Sequence, residues 1–425
     1  MGNNKVKQIQ DYINQENQRQ NEFIQLIASE NLPSLNVANS LQNILLNYKT
    51  VEGYLGKRYH SGCNIVDEIE RLAIIYAKSL FSAKHVNVQT NSATIANQSA
   101  ITALASSNEA SILSMDIKCG GHISHSVRYP NTFHYEVDRN TGLLDYEEIR
   151  KIAKKYNPDI IIAGSSSYPR EINFTEFRKI ADEVDAFLIA DIAHIAGLVA
   201  AGYHNSPVNS AHITTASSYK TLRGPRSGFI LLGDDYELAV NKNALWKQID
   251  RSVFPLNQGS TNVLDVAAKA VCFSESDSQE FKSYMNLLLE NSKFIAKCFL
   301  ERGYKVLTNG TSNHITLIDI TPKGMTGKIA ETVLEEVGIS LNKNQIPFDK
   351  YPPLVSSGIR IGSQFITSRG MMQDEIEIIV DLIDKTLNRI KPINEINYTK
   401  NEEELNQIRR NIKELSLKFP IDLYN

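Results

Sequence analysis

Five short apolar runs constrain this chain more than any other feature. "HVNVQT" (85–90), "DIIIAG" (159–164), "FLIAD" (187–191), "HITTAS" (212–217) and "GFILLG" (228–233) read as strands buried on both faces, as a parallel sheet requires. Between the second and third lies "FTEFRKIADEV", with Phe174, Phe177, Ile180 and Val184 at helical spacing. Strand, helix, strand at this rhythm predicts an α/β domain with a mostly parallel sheet. Ligands of such sheets bind beyond the carboxyl ends of the strands. The polar residues that end the runs therefore matter most: Thr90 to Thr94, Gly164 to Ser167, Asp191 to His194, and Ser217 to Lys220. One such end is a capped turn, whereas four together, offering hydroxyls, an acid, a histidine and an amine, read as a site.

At 425 residues the chain has room for a large domain and a smaller one. A hydrophobic fraction of 42% and a charged fraction of 22% are those of a soluble globular protein, and a net charge of −3 leaves no basic footprint for nucleic acid or an anionic membrane. Cys63, Cys119, Cys272 and Cys298 are scattered without a CxxC pair, against both a zinc site and a disulfide framework. No apolar run reaches the ~20 residues of a membrane span. The polar start "MGNNKVKQIQDYINQENQRQNEF" has no signal-peptide core, so the expected location is the cytoplasm. After about residue 275 the character shifts to a long helical stretch, a strand "HITLIDI", and a last segment with Leu405, Ile408, Ile412, Leu415 and Phe419 on one helical face. This part reads as a second, smaller α/β domain.

The chemistry centres on "SSYKTLRGPRSG" (217–228). Most lysines are solvated, but burial beside a sheet would depress the Lys220 pKa and make it an amine nucleophile. Ser217-x-x-Lys220 also matches the S-x-x-K of serine acyl-enzymes, yet the S-D-N and K-T-G partners of that motif are missing. Asp191 ends an apolar strand, either as a helix N-cap or as a fixed negative charge aimed at a cation. An acid at a strand end with a lysine further on is what pyridoxal phosphate needs, because the acid keeps the pyridine nitrogen protonated. His194 either orients that ring or is a satisfied core histidine. In "TNSATIANQ" (90–98), Ser92 and Thr94 at a helix entrance suit a phosphate, or simply cap the helix. Arg360, in "SSGIRIGS", is an arginine in an apolar segment, costly unless paired and shaped to grip a carboxylate.

With those residues in place the chain resembles serine hydroxymethyltransferases. "LIASEN", "VEGYLGKRYHSGC", "GGHISH", "IADIAHIAGLVAAG", "YKTLRGPRSG", "VFPLNQG", "NHITLIDI", "LNKNQIP" and "SGIRIGSQFITSRGM" occur in that family's order, ending in its usual "KFP". The resemblance implies an aspartate-aminotransferase-like, fold-type-I pyridoxal-phosphate enzyme, a homodimer with shared active sites. It implies an N-terminal arm over 1–28, a large cofactor domain over 29–274 and a small domain over 275–425. Position by position, Lys220 resembles the Schiff-base lysine, Asp191 the acid at the pyridine nitrogen, His194 its neighbour near the ring oxygen, and His122 the imidazole stacked on the ring. Ser92, Ala93 and Thr94 fall on the phosphate motif, Ser166 beside the ring oxygen, and Ser260 in a further cofactor-binding motif. Ser29 and Arg360 match the residues that hold the amino-acid carboxylate. Glu52 matches the group that handles the proton of the substrate hydroxyl. Tyr59, Ile117, Ile123, Phe254 and Asn344 align with the folate region.

The departures cluster in the substrate lining. Thr50 and His60 stand where the family has tyrosines, Tyr219 replaces the histidine before the lysine, Ser92-Ala93-Thr94 replaces Ser-Gly-Ser, and Gln258-Gly259-Ser260 replaces Gln-Gly-Gly. The expected reaction is reversible Cα–Cβ cleavage of serine to glycine, with pyridoxal 5'-phosphate as cofactor and tetrahydrofolate as one-carbon acceptor. The altered lining also raises an alternative, a threonine aldolase or transaldolase that uses a different aldehyde. A cofactor-binding protein without catalysis is the third reading, and the intact Lys220, Asp191 and Arg360 set argues against it. No metal ligand set is expected.

Overall fold

The computed structural model describes residues 2–105 and 109–421, which form two compact units. One runs from Asn31 to Asn286; the other joins the chain through Glu30 to the chain from Leu287 onward, so the expected N-terminal arm groups with the C-terminal part. Residues 1 and 422–425 of the expected arm and small domain lie outside the described residues.

The unit from Asn31 to Asn286 is built on seven strands: β1 (His85–Asn87), β2 (Ile112–Met115), β3 (Thr132–Tyr135), β4 (Ile160–Gly164), β5 (Phe187–Asp191), β6 (Ile213–Ser217) and β7 (Gly228–Leu232). Their spatial order is β1-β7-β6-β5-β4-β2-β3. Neighbours from β3 to β6 run parallel, with Gly164 beside Asp191 and Asp191 beside Thr215. Strand β7 runs antiparallel to both β6 and β1. The α/β class and the mostly parallel sheet agree with the apolar runs. A strand buried on both faces reads the same in either direction, so the reversal at β7 carries no sequence signature. Strands β2 and β3 escaped the pattern because Ser114 interrupts the short buried run of β2 and β3 is a half-exposed edge strand.

Helices cover the sheet: α1 (Asn64–Phe81), α2 (Ala93–Leu104), α3 (Phe174–Glu183) and α4 (Val263–Ser276). In α3 the expected face is buried through Phe174, Phe177 and Ile180, and the Asn173 side chain caps its start. Helix α2 lays Ala96, Ala100, Ile101 and Leu104 on Ile162, Ile189, Ile213 and Ile230. Each buried large aliphatic there contributes roughly 1.5–3 kcal/mol, so the helix that opens at the site is among the best-anchored parts of the unit.

The second unit holds β8 (Lys305–Val306), β9 (Ile315–Asp319), β10 (Asn342–Asn344) and β11 (Gly358–Gly362) in the antiparallel order β8-β9-β11-β10. The long helix α5 (Gln279–Glu301) begins in the first unit and passes into the second at Leu287, and α6 (Gly327–Val337), α7 (Gln373–Leu387) and α8 (Glu402–Leu417) lie in the second. Leu405, Ile408, Ile412 and Leu415 are buried as their spacing predicts, with Phe419 packed beside them. An N-terminal helix (Gly2–Glu22) leads to Ile24–Gln25, which pair in parallel with Ile339–Ser340. The buried Arg369 fastens this corner by donating to the carbonyls of Asn21, Phe23, Ser416 and Phe419. Burial pushes that guanidinium down to about 10. No helix among the described residues is long and apolar enough to cross a membrane.

Candidate active site

Because β2, β4, β5 and β6 are parallel, their carboxyl ends lie along one edge of the sheet, and the chain leaves each strand there through polar residues. They enclose a cavity of about 320 Å³, at the lower end of what small-ligand sites need. Ser92, Ala93, Thr94, His122, Ser166, Asp191, His194 and Lys220 all line it. Seven of these come from the strand ends singled out in the sequence, and His122 from the resemblance alone. Gly164 makes the crowding at this edge possible: it has φ +136°, and a Cβ there would lie 2.3 Å from the Asp191 carbonyl oxygen.

Asp191 is buried, and its carboxylate has three donors. Oδ2 accepts from Asn97 Nδ2 and His125 Nε2, each at 2.8 Å, and Oδ1 accepts from the Ala193 amide at 2.8 Å. Burial alone would raise its pKa, but the His125 hydrogen bond, the charges of His125 and His122 and the Ala193 amide together hold the carboxyl well below the usual carboxylate range. Asn97 is fixed in turn, since its Oδ1 accepts from Thr215 Oγ1 at 2.5 Å and its Nδ2 also reaches Ser124 Oγ at 2.9 Å. A carboxylate held this firmly aims its charge into the cavity rather than capping a helix.

At the other end of the cavity α2 begins. Ser92 is its N-cap, and its Oγ accepts from the Ile95 amide at 3.2 Å. The amides of Ala93 and Thr94 face outward from the helix start, where the dipole favours an anion. Both alternatives for this stretch therefore hold at once, since Ser92 caps the helix and the helix opens on the cavity. Lys220 lies just past β6, nearly buried, and its carbonyl accepts from Asn31 Nδ2 at 2.8 Å. His122 Nδ1 accepts from the Ser124 amide at 3.2 Å. His194 Nε2 lies 3.5 Å from Ser166 Oγ, and the Ser166 amide is fixed on the Gly120 carbonyl at 2.7 Å.

The remaining expected residues fall elsewhere. Thr50, Tyr59 and His60 are exposed and do not line the cavity, and Glu52 is half-exposed, its carboxylate 3.4 Å from His60 Nε2. The Tyr59 ring packs at a tilt against Phe254 with centroids 5.8 Å apart, and Ser260 Oγ accepts from the Val51 amide at 2.8 Å. Ile117 and Ile123 are exposed apolar residues in the turns after β2. Ser29, Asn344 and Arg360 belong to the second unit. There Arg360 sits on β11 opposite Asn342, to whose Oδ1 its Nε donates at 3.0 Å. Ser29 follows Ala28, whose Cα would lie 2.5 Å from a Cβ at Gly362, two residues past Arg360.

Sequence reasoning missed Asn97, His125 and Thr215, the groups that hold Asp191. "GGHISH" offered two histidines three residues apart, and only the first was taken. Asn91, Ser165, Arg226 and Ser227 also line the cavity, the Arg226 guanidinium lying 4.4 Å over the Tyr219 ring.

A family model described as "Serine hydroxymethyltransferase" matches residues 3–383. The chain is 44% identical over 419 residues to a serine hydroxymethyltransferase of Borrelia hermsii, covering 96% of this chain and 98% of that one. It is 45% identical over 415 residues to one from Borreliella burgdorferi, covering 95% and 97%. With the sheet order, the anchored strand-end acid and the lysine beyond β6, these matches place the chain in the serine hydroxymethyltransferase family.

Proposed function

We propose that this chain interconverts serine and glycine by breaking and re-forming the Cα–Cβ bond, with tetrahydrofolate as one-carbon acceptor and pyridoxal 5'-phosphate as cofactor. The observation that carries the reading is Asp191, a buried carboxylate kept ionised by three donors and lining the same cavity as the Lys220 amine. That donor set fits the cofactor: negative charge for a protonated pyridine nitrogen, a helix entrance for a phosphate, and an amine for the aldehyde carbon. When bound, pyridoxal phosphate supplies an electron sink for the pair left on Cα as the bond breaks.

Lys220 would hold the cofactor through its aldehyde carbon, and Asp191 would keep the proton on the pyridine nitrogen. His122 would cover the ring, while Ser166 and His194 would bind its oxygen. The Ala93 and Thr94 amides, with the Ser92 and Thr94 hydroxyls, take the phosphate, and Ser260 adds a further contact. Ser29 and Arg360 orient the amino acid by its carboxylate, the guanidinium as a planar fork. Glu52 accepts the proton of the substrate hydroxyl and returns it. Tyr59, Ile117, Ile123, Phe254 and Asn344 serve the folate. Because relatives that match over nearly their whole length bear the hydroxymethyltransferase name, the aldolase or transaldolase reading raised by Thr50, His60 and Tyr219 is not favoured.

Arg360→Ala tests the carboxylate assignment. The serine KM should rise steeply, by roughly 2–5 kcal/mol of lost binding in a desolvated site, while the cofactor dissociation constant changes little. An unchanged KM would make Arg360 a purely structural residue.

A homodimer completes the proposal. Ile65, Leu72 and Ile75 project from one face of α1 into solvent, and Ile44, Leu45 and Tyr48 are exposed nearby in the chain. A monomer rarely leaves so many large apolar residues uncovered in one segment. Sedimentation velocity at micromolar concentration should find a species of twice the 47.7 kDa chain mass, and a lone monomer would contradict it.

A further inference from the structure

Lys269 lies in the middle of α4 with no exposed surface, one of two buried lysines among the described residues. Its Nζ donates to the Val88 carbonyl, to Ser227 Oγ at 2.8 Å and to the Gly228 carbonyl at 3.0 Å. All three acceptors are neutral. Burying an ammonium for neutral acceptors is costly, and a leucine or methionine would fill a core position without that cost. Burial pushes the amine down to about 8, with Asp265 and Glu70 pulling it partly back through space.

The acceptors sit at the frame of the cofactor cavity. Val88 follows β1, two residues before Thr90. Ser227 lines the cavity and relays the contact, because its hydroxyl donates to the Thr90 carbonyl at 2.9 Å, and the Gly228 amide donates to the same carbonyl at 3.1 Å. At Gly228 the backbone presses on the start of α2, where a Cβ would lie 2.5 Å from the Ser92 carbonyl group and 2.7 Å from the Ala93 nitrogen. The Ser227 carbonyl accepts from the Ser218 amide and hydroxyl, each at 3.1 Å, two residues before Lys220. One ammonium thus ties the turn after Lys220 to the segment that enters α2.

We propose that Lys269 is a positioning residue for the cofactor phosphate: by locking Ser227 and Gly228 onto Val88, it sets where the Ser92–Thr94 helix entrance stands relative to Lys220. This rests on the reading of Ser92–Thr94 as the phosphate cradle. The selective signature is the phosphate itself. Pyridoxal, which lacks it, makes no use of the cradle.

The test measures dissociation constants of pyridoxal 5'-phosphate and of pyridoxal for the full-length apoprotein by equilibrium dialysis. Lys269→Met should weaken the phosphorylated form by roughly tenfold or more, as loss of a buried hydrogen-bonding hub implies, and leave pyridoxal nearly unchanged. Ser227→Ala should do the same to a smaller degree. The double variant should lose less than the two single losses combined, since the Lys269–Ser227 contact is common to both. Phe273→Leu, a core change on the same helix, should lower the melting temperature without altering the ratio of the two constants. An unchanged ratio in Lys269→Met overturns the inference. If that variant does not fold, an unchanged ratio in Ser227→Ala overturns it. A wild-type apoprotein that holds pyridoxal as tightly as the phosphorylated form would instead sink the cradle reading, and the inference with it.

Discussion

Lys220→Ala should lower serine turnover by about a thousandfold or more, close to 4 kcal/mol of barrier, in a protein that still folds. The side chain lines the cavity at the end of β6, so its loss removes the amine without opening the core beneath the sheet. Borohydride reduction followed by peptide mapping should find the cofactor fixed to residue 220 in the wild type and nowhere in the variant. A variant that keeps more than a tenth of wild-type turnover would show that this lysine is not the attachment point.

Asp191→Asn should cost about a hundredfold or more in kcat/KM, with weaker cofactor retention. The change removes a buried negative charge and also breaks the donor arithmetic. Asn97 Nδ2, His125 Nε2 and the Ala193 amide all point at the carboxylate, and an amide offers them one acceptor oxygen and two more donors. Cofactor affinity and kcat, measured separately, divide the loss between holding the ring and tuning it. Near-normal values of both would leave the anchored carboxylate without a role. The pH dependence follows from the same contacts. The folded carboxyl is depressed below its ordinary 3.8, so its stabilising contribution is complete above that value and is lost as pH falls further. The acid limb of a pH–rate profile near neutrality therefore does not come from Asp191.

Asp191 was legible in the sequence because a charged residue that ends an apolar strand must have a purpose, and Lys220 because it stands just past a strand end in a hydroxyl-rich turn. Their supports were not. Asn97 sits in a helix packed on both sides, where nothing in the spacing separates a site residue from a satisfied core amide. His125 meets Asp191 only because the turns after β2 come back over β5. Thr215 reaches Asn97 from within a strand whose every residue is buried. Lys269 was hidden in "VAAKAVCF", an apolar helix face in which one lysine looks like a solvated break. Arg360 lies in an apolar segment, and the antiparallel register of β10 and β11 places Asn342 to accept from its Nε. The reversed direction of β7 stayed invisible because a doubly buried strand carries no directional pattern.

Of the departures at Thr50, His60 and Tyr219, only Tyr219 lines the cavity beside Lys220, while Thr50 and His60 lie outside it. The decisive measurement is glycine formation from serine by the reconstituted enzyme, with and without tetrahydrofolate, beside threonine under the same conditions. The account predicts fast, tetrahydrofolate-dependent cleavage of serine and slow cleavage of threonine. Serine cleavage indifferent to tetrahydrofolate, with threonine the faster substrate, would contradict it.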